Sequence, residues 1–284
     1  METMRDIKRR IGSVQNTQKI TRAMKMVAAA KLRKAQEKAE NARPFFQKTK
    51  NILSGVVAFT KDPTEHPLLL PHQGNKHLYV VINADRGLCG AYNARVIDQA
   101  RQSFNSDEEI SLLTIGRNAR DYFKKRDYNI ISEYTNIDDY PDYRFAYQIA
   151  EEIISLFTEK IVDNVTLIYT HFNSAISQVV REIKLLPIEP PEETEEQQNT
   201  EYLYEPSADQ VFDILLPKYI NNILYSALLE AKASEFGARM TAMDAATDNA
   251  GELIDELTLS YNRVRQAAIT KEITEIVGGA EALK

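Results

Sequence analysis

Residues 217–284 read PKYINNILYSALLEAKASEFGARMTAMDAATDNAGELIDELTLSYNRVRQAAITKEITEIVGGAEALK, and this stretch decides the fold. It contains no proline after Pro217 and is rich in Ala, Leu, Glu and Met, which are strong helix formers. We therefore expect one helix of roughly 60 residues, about 90 Å long at 1.5 Å per residue. Because that length is several times the diameter of a small domain, the helix needs a partner along its length.

The beginning of the chain supplies a second long helix, from Met4 to about Gly55. Apolar and small residues recur there at spacings of three and four, namely Met4, Ile7, Ile11, Val14, Thr17, Thr21, Met24 and Ala28. A narrow seam of this kind, sustained over several heptads, favours pairing with another helix. Pro44 is expected to bend or interrupt the helix.

Charge is distributed unevenly between the two ends. Residues 1–50 carry 14 Lys and Arg against 4 Asp and Glu, whereas residues 209–284 carry 7 basic and 12 acidic side chains. The two helices are electrostatically complementary, so we expect them to lie antiparallel with the basic face against the acidic one. A basic helix can also follow nucleic-acid phosphates, but no aromatic residue precedes Phe45 to stack on bases, and an acidic protein partner is favoured.

Between the helices, apolar runs of strand length alternate with helical patterns. Strands are expected at residues 77–85, 110–116, 129–135, 164–172 and 176–188, and helices at 92–104, 117–126 and 145–160. This alternation predicts an α/β domain with a mostly parallel sheet. The predicted fold is a long antiparallel coiled coil of the N- and C-terminal helices with an inserted Rossmann-like α/β domain.

The expected boundaries follow the changes in composition. We divide the chain into an N-terminal coiled-coil helix (1–58), a linker (59–76), an α/β domain (77–206) and a C-terminal coiled-coil helix (207–284). Pro217 is expected to separate a short helix from the long one. The other boundary features are an acidic loop at 190–201, a candidate edge strand at 202–206, and a capping-box signal from Ser207 to Gln210.

The linker contains His66 and His72, and His77 follows it. Three histidines suggest a metal, but they are not accompanied by carboxylates or cysteines at ligand spacing. Solvated linker histidines are therefore favoured.

The segment NADRGLCGAYN, Asn83–Asn93, follows a predicted strand and opens a predicted helix, which is where a phosphate-binding loop would lie. Gly87 and Gly90 are too few for either common nucleotide fingerprint. A structural turn or a protein-contact loop is favoured over a small-ligand site.

Several classes of protein are disfavoured by composition. Cys89 is the only cysteine, which excludes an internal disulfide and a cysteine-based zinc site, and we expect it to be a packing residue. No apolar run approaches 18 residues and the start METMRDIKRR has no apolar signal core, so a cytosolic protein is expected. No spacing indicates a nucleophile with its base or a catalytic carboxylate pair, so the residues alone assign neither a catalytic site nor a cofactor site.

Three motifs resemble those of a known family. They are MRDIKRRIGSVQNTQKITRAMKMVAAAKL at 4–32, DRGLCGAYN at 85–93, and ARMTAMDAATDNA at 238–250 with NRVRQAAITKEITEIVGGA at 262–280. Residues 269–280 fit the family signature I-T-x-E-x-x-E-x-x-x-G-A. Over essentially its whole length the chain resembles the γ subunits of bacterial F-type ATP synthases.

The resemblance implies a non-catalytic central rotor shaft. Its coiled coil would stand inside the ring of α and β subunits, while the α/β domain would lie beside the ε subunit and on the c-ring, at the cytoplasmic face of the cell membrane. Contacts with β subunits are implied by motif position for Met24, Lys25, Arg239, Arg265, Gln266, Thr270, Glu272 and Glu275. The alternative is a small-ligand-binding α/β protein with a coiled-coil oligomerisation arm.

Overall fold

A computed structural model of the chain describes residues 3–59, 66–189 and 208–281. The expected loop at 190–201, the candidate edge strand and Ser207 lie outside the described residues. The elements are α1 (Met4–Phe59), β1 (Lys76–Ile82), α2 (Tyr92–Ser103), β2 (Glu109–Ile115), α3 (Arg117–Lys124), β3 (Asn129–Tyr134), α4 (Tyr143–Thr158), β4 (Asn164–Phe172), β5 (Gln178–Leu186) and α5 (Ala208–Glu281). The expected long terminal helices and the intervening α/β elements are confirmed.

The chain divides into two compact units, and each contains part of α1 and part of α5. Unit 1 comprises Met1–Val27 and Met240–Lys284, and unit 2 comprises Ala28–Arg239.

Unit 2 is built on a five-stranded sheet in the order β3-β2-β1-β4-β5. The first four strands are parallel to their neighbours, and β5 pairs antiparallel with β4. The expected mostly parallel sheet is therefore confirmed. Because β1 is in the middle of the sheet, its side chains alternate between two buried faces. Leu78 and Val80 pack with α4 and α5 on one face, whereas Tyr79 and Val81 pack with α2 and α3 on the other.

The expectation that Pro217 divides the C-terminal helix is wrong, because α5 runs continuously through it. A proline inside a helix removes one backbone hydrogen bond, but the turns around Pro217 are fixed by burial. Phe212, Leu216 and Ile220 all lie in the core with at most 2% of their surface exposed. Helix α1 likewise continues through Pro44.

The expectation that the linker histidines are solvated is also wrong. The side chains of His66, His72 and His77 are only 15%, 14% and 14% exposed. His72 stacks on Phe157 with ring centroids 4.2 Å apart, and His77 stacks on Tyr79 at 4.1 Å. The imidazoles of His72 and His77 are largely shielded from solvent because their flat rings extend the aromatic packing of the domain, whereas that of His66 lies 3.3 Å from a carboxylate oxygen of Asp213.

Unit 1 is an antiparallel pair of helical segments. Thr21 of α1 lies beside Thr247 of α5, with 2.8 Å between their hydroxyl oxygens. The amide of Gln18 donates to the carbonyl oxygen of Thr247 at 3.4 Å, and a Cβ at Gly251 would lie 3.2 Å from that same amide nitrogen. The helices are therefore packed closely where their facing residues are small.

Candidate functional site

Among the residues of unit 1 that the structure describes, none provides a helical partner for the last turns of α5. Since Thr21 faces Thr247 and the helices are antiparallel, counting equally outward from both places Met4, the first residue of α1, near Val264. Every residue from Ile269 to Gly279 is exposed. This segment, which we call the bare end of α5, presents an apolar surface made of Ile269 (48% exposed), Ile273 (56%), Ile276 (66%) and Val277 (58%).

Five of the eight residues implied as partner contacts lie in or immediately before the bare end. Arg265, Gln266, Thr270, Glu272 and Glu275 are all exposed on α5. Glu275 forms an ion pair with Lys271, one turn earlier on α5, with 3.7 Å between Oε1 and Nζ. The arrangement alternates charged and polar groups with isoleucines around a single helix, which suits contact on several sides.

Two further residues implied as partner contacts lie on α1, within the helix pair of unit 1. Met24 and Lys25 are partly buried. The ammonium group of Lys25 forms an ion pair with Asp244 of α5. The basic face of α1 thus meets an acidic residue of the same chain here, as the charge distribution predicts.

Arg239, the eighth residue, is used inside unit 2. Its side chain is 11% exposed, and its Nη1 lies 2.9 Å from Oε1 of Glu235 one turn earlier on α5. Its Nη2 donates to the carbonyl oxygen of Gly87 at 3.2 Å. Glu235 also receives the ammonium of Lys232 at 3.2 Å. The structure therefore groups Arg239 with the β1–α2 loop of unit 2.

Helix α5 covers the crevice where sheets of this kind commonly bind ligands. In the strand order, β1 leads to β2 on one side and β4 leads to β5 on the other, so the carboxyl ends of β1 and β4 form the switch point. The hydroxyl of Tyr92 donates to the carbonyl oxygen of Ala231 at 3.2 Å, and Ser234 donates to the carbonyl oxygen of Thr170 at 3.2 Å. Burial raises the pKa of Tyr92 well above its usual value. The crevice is occupied by the protein's own helix.

The loop that follows β1 has a buried cysteine at its centre. Cys89 is 1% exposed and packs with Ala84, Tyr92 and Ala238. Burial raises the pKa of its thiol, which disfavours the reactive thiolate. The expectation that Cys89 is a packing residue is confirmed.

Beside this loop is a polar cavity of about 370 Å³ at the carboxyl ends of β1 to β3. The carboxylate of Asp85, in the lining of this cavity, accepts the backbone N–H groups of Arg117 at 3.0 Å and Ile137 at 2.7 Å. The carboxylate of Asp85 thus takes the place that an anionic ligand would have at the start of α3. Among the described residues, no group of His, Cys, Asp and Glu side chains has an arrangement that would hold a metal ion.

Sequence reasoning missed two features of this region. Gly116 has φ of +111°, and a Cβ there would lie 2.2 Å from the carbonyl oxygen of Asn83, so only glycine fits. Glu235 carries the charge that orients Arg239, and its spacing of four from an arginine on a helix was the available signal.

Comparison with known proteins identifies the family. A family model described as ATP synthase matches residues 3–283. The chain is 69% identical to the ATP synthase gamma chain of Halothermothrix orenii and 50% identical to that of Pelotomaculum thermopropionicum, in each case over the full length of both chains. Within the described segments, no helix is long and apolar enough to cross a membrane.

Solved structures agree with this assignment. The chain matches one in the central stalk and c-ring of the mitochondrial ATP synthase of Tetrahymena thermophila with 28% identity and a TM-score of 0.62, covering 80% of this chain and 99% of that one. A chain of the Euglena gracilis mitochondrial ATP synthase rotor shares the fold, with a TM-score of 0.70 at 18% identity over 94% of this chain and 98% of that one. The chain belongs to the family of bacterial F-type ATP synthase gamma chains.

Proposed function

We propose that this chain turns as the central rotor shaft of its ATP synthase and that the bare end of α5 is seated in an apolar sleeve formed by the surrounding subunits. As a gamma chain it is a structural subunit of the complex and is not catalytic alone. We infer the sleeve from the exposed isoleucines on the part of α5 that extends beyond the end of α1. Exposed apolar surface of this extent marks a protein contact.

The sleeve is formed by the α and β subunits, and β makes the specific contacts. Arg265 and Gln266 engage a β-subunit loop, with Thr270, Glu272 and Glu275 beside them. Met24, Lys25 and Arg239 contact acidic segments of β. For Lys25 this is compatible with its ion pair, because an ammonium group has three donors and the side chain is 40% exposed.

Torque is transmitted mainly by steric pushing. Exposed ion pairs each contribute only about 0.2 to 1 kcal/mol, which is small beside the work of changing nucleotide affinity. A closely packed helix pair such as that around Thr21 and Thr247 is stiff enough to push. Rotation of this asymmetric shaft moves successive β subunits through conformations of different affinity.

The α/β domain makes the remaining contacts. It binds the ε subunit and rests on the c-ring, so the chain is attached to the membrane through the complex, at its cytoplasmic face. Ion flow through the membrane part turns the c-ring and the shaft together.

The alternative, a small-ligand-binding protein with an oligomerisation arm, has less support. Its natural site is the crevice at β1 and β4, where Ala231 and Ser234 of α5 are hydrogen-bonded to Tyr92 at the start of α2 and to Thr170 of β4. Calorimetry of the isolated chain with nucleotides tests this alternative, since the rotor role expects no tight site.

Truncation after Asn262 tests the sleeve. We expect α and β subunits to co-purify poorly with the truncated chain, or ATP-driven proton pumping to fall relative to hydrolysis. Undiminished pumping by the truncated complex would contradict the importance given to the bare end.

A further inference from the structure

The β1–α2 loop is fastened to α5 through its backbone. The guanidinium of Arg239 reaches two consecutive carbonyl oxygens of the loop: its Nη2 lies 3.2 Å from that of Gly87 and 3.4 Å from that of Arg86. Its Nε is 3.4 Å from the carbonyl oxygen of Gly87. A planar, always charged donor fork suits this arrangement, whereas an ammonium would satisfy one carbonyl at a time.

Glu235 aims the guanidinium at the loop. Its Oε1 holds Nη1 of Arg239 at 2.9 Å, and its Oε2 is held by Lys232 at 3.2 Å. Glu235 is 4% exposed, so its carboxylate is oriented by these two cations rather than by water. Because opposite edges of the guanidinium face Glu235 and the loop, the carboxylate fixes the direction of the donors that reach the loop.

The loop itself needs such a constraint. Leu88 adopts a φ of +61° and its side chain is 63% exposed, so neither backbone preference nor burial of this residue keeps the loop in place. A bulky residue held in the left-handed region costs free energy, and the surrounding structure must supply it. Within the loop, the buried side chain of Cys89 packs in one cluster with Ala238, the neighbour of Arg239.

We infer that Arg239 and Glu235 form a clamp that locks the β1–α2 loop onto α5. They are positioning residues: they keep Arg86 and Leu88 displayed at a fixed place on the shaft helix, so the loop and α5 move as one body. The clamp is a property of this chain alone, so its test is independent of the rotor role.

Cys89 is the natural probe, because it is the chain's only cysteine and is itself a buried residue of the clamped loop. The rate at which a maleimide modifies Cys89 in the folded full-length chain reports how often the loop lifts. We expect Arg239→Met, which keeps the stem and removes the donors, to raise this rate about tenfold or more. Glu235→Gln raises it by a smaller factor, and Arg239→Lys gives an intermediate rate.

Two control variants separate the clamp from general destabilisation. Arg120→Met removes a partly buried arginine paired with Asp121 elsewhere in unit 2, and should leave the rate at the wild-type value. Leu113→Ala weakens the fully buried core without touching the loop, so at equal loss of unfolding stability it should raise the rate less than Arg239→Met does. A wild-type rate in Arg239→Met, a wild-type rate in Arg239→Lys, or an equal increase in Leu113→Ala would overturn the clamp.

Discussion

The hydroxyl oxygens of Thr21 on α1 and Thr247 on α5 lie 2.8 Å apart, and both residues are buried. Thr247 also bonds to the carbonyl oxygen of Met243 at 2.7 Å, so the contact forms a short polar chain between the helices. A polar pair in a narrow seam favours the register in which these two residues face one another, since sliding either helix would break the bond between them and leave each hydroxyl with a bond only inside its own helix. This pair sets the register from which the bare end of α5 follows.

Substitution of either threonine alone should destabilise unit 1. Thr21→Val or Thr247→Val leaves one buried hydroxyl without its partner, at a cost of about 1 to 2 kcal/mol. The double variant should cost less than the sum of the two single variants, because both polar groups are then gone. Denaturant unfolding of all four chains gives the coupling. Strictly additive effects would show that the hydroxyls do not recognise each other.

Polar substitution on the bare end should separate stability from function. Ile273→Ser and Ile276→Ser remove side chains that are 56% and 66% exposed, so the melting temperature of the isolated chain should not change. In the assembled complex the same variants should reduce proton pumping per ATP hydrolysed. Ile161→Ser, which alters another exposed isoleucine at 44% in unit 2, is the matched control and should leave both unchanged.

The ion pair between Lys25 and Asp244 should contribute little to folding. Its side chains are 40% and 47% exposed, so Asp244→Asn should cost no more than about 1 kcal/mol at low salt. Since salt screens exposed charges, the difference should vanish near 1 M salt. Unfolding measured at both salt concentrations checks this, and a large loss that persists at high salt would mean that the pair is effectively buried.

His77 should make stability depend on pH. Burial lowers its pKa from the usual 6.5, while Glu108, with an oxygen 3.3 Å away, opposes the shift. In the unfolded chain the imidazole gains its proton as pH falls through 6.5, whereas in the folded chain it stays neutral to lower pH. Below pH 6.5 the unfolded state therefore binds more protons than the folded state, so the free energy of unfolding decreases as the pH is lowered further. His77→Gln should reduce the decrease in the free energy of unfolding between about pH 7 and 5. An unchanged slope would mean that other groups cause the decrease.

Replacing Pro217 should stabilise unit 2. The proline lies inside a continuous α5, where its missing N–H leaves a backbone carbonyl without a helical partner. Pro217→Ala should therefore raise the free energy of unfolding by about 1 to 2 kcal/mol, the helix gain being partly offset by a freer unfolded chain. Thermal unfolding measures the change. A loss of stability would show that the pyrrolidine ring of Pro217 makes favourable packing contacts.

Periodicity and composition were enough to predict the architecture. The seams of α1 and α5, the buried strands and the parallel sheet all depend on patterns repeated over many residues. The errors fall where a single local rule competed with burial. Pro217 signals a break, but Phe212, Leu216 and Ile220 hold the helix together from the core side.

The internal use of charged residues could not be predicted in the same way. A sequence shows that Lys25 and Arg239 are basic, but not that Asp244 lies within reach of the first and the Gly87 carbonyl within reach of the second. These pairings depend on how distant segments pack. His72 is a similar case. Its position in the linker predicted solvent exposure, whereas in the structure its ring stacks on Phe157.

The most direct test of the central claim is to watch the chain turn. A bead attached at Ile176→Cys, a position 88% exposed, in a Cys89→Ser chain assembled with α and β subunits reports its orientation while ATP is hydrolysed. The rotor account predicts continuous rotation in one direction that stops when ATP is withdrawn. A bead that stays fixed while the complex hydrolyses ATP at its normal rate would contradict it.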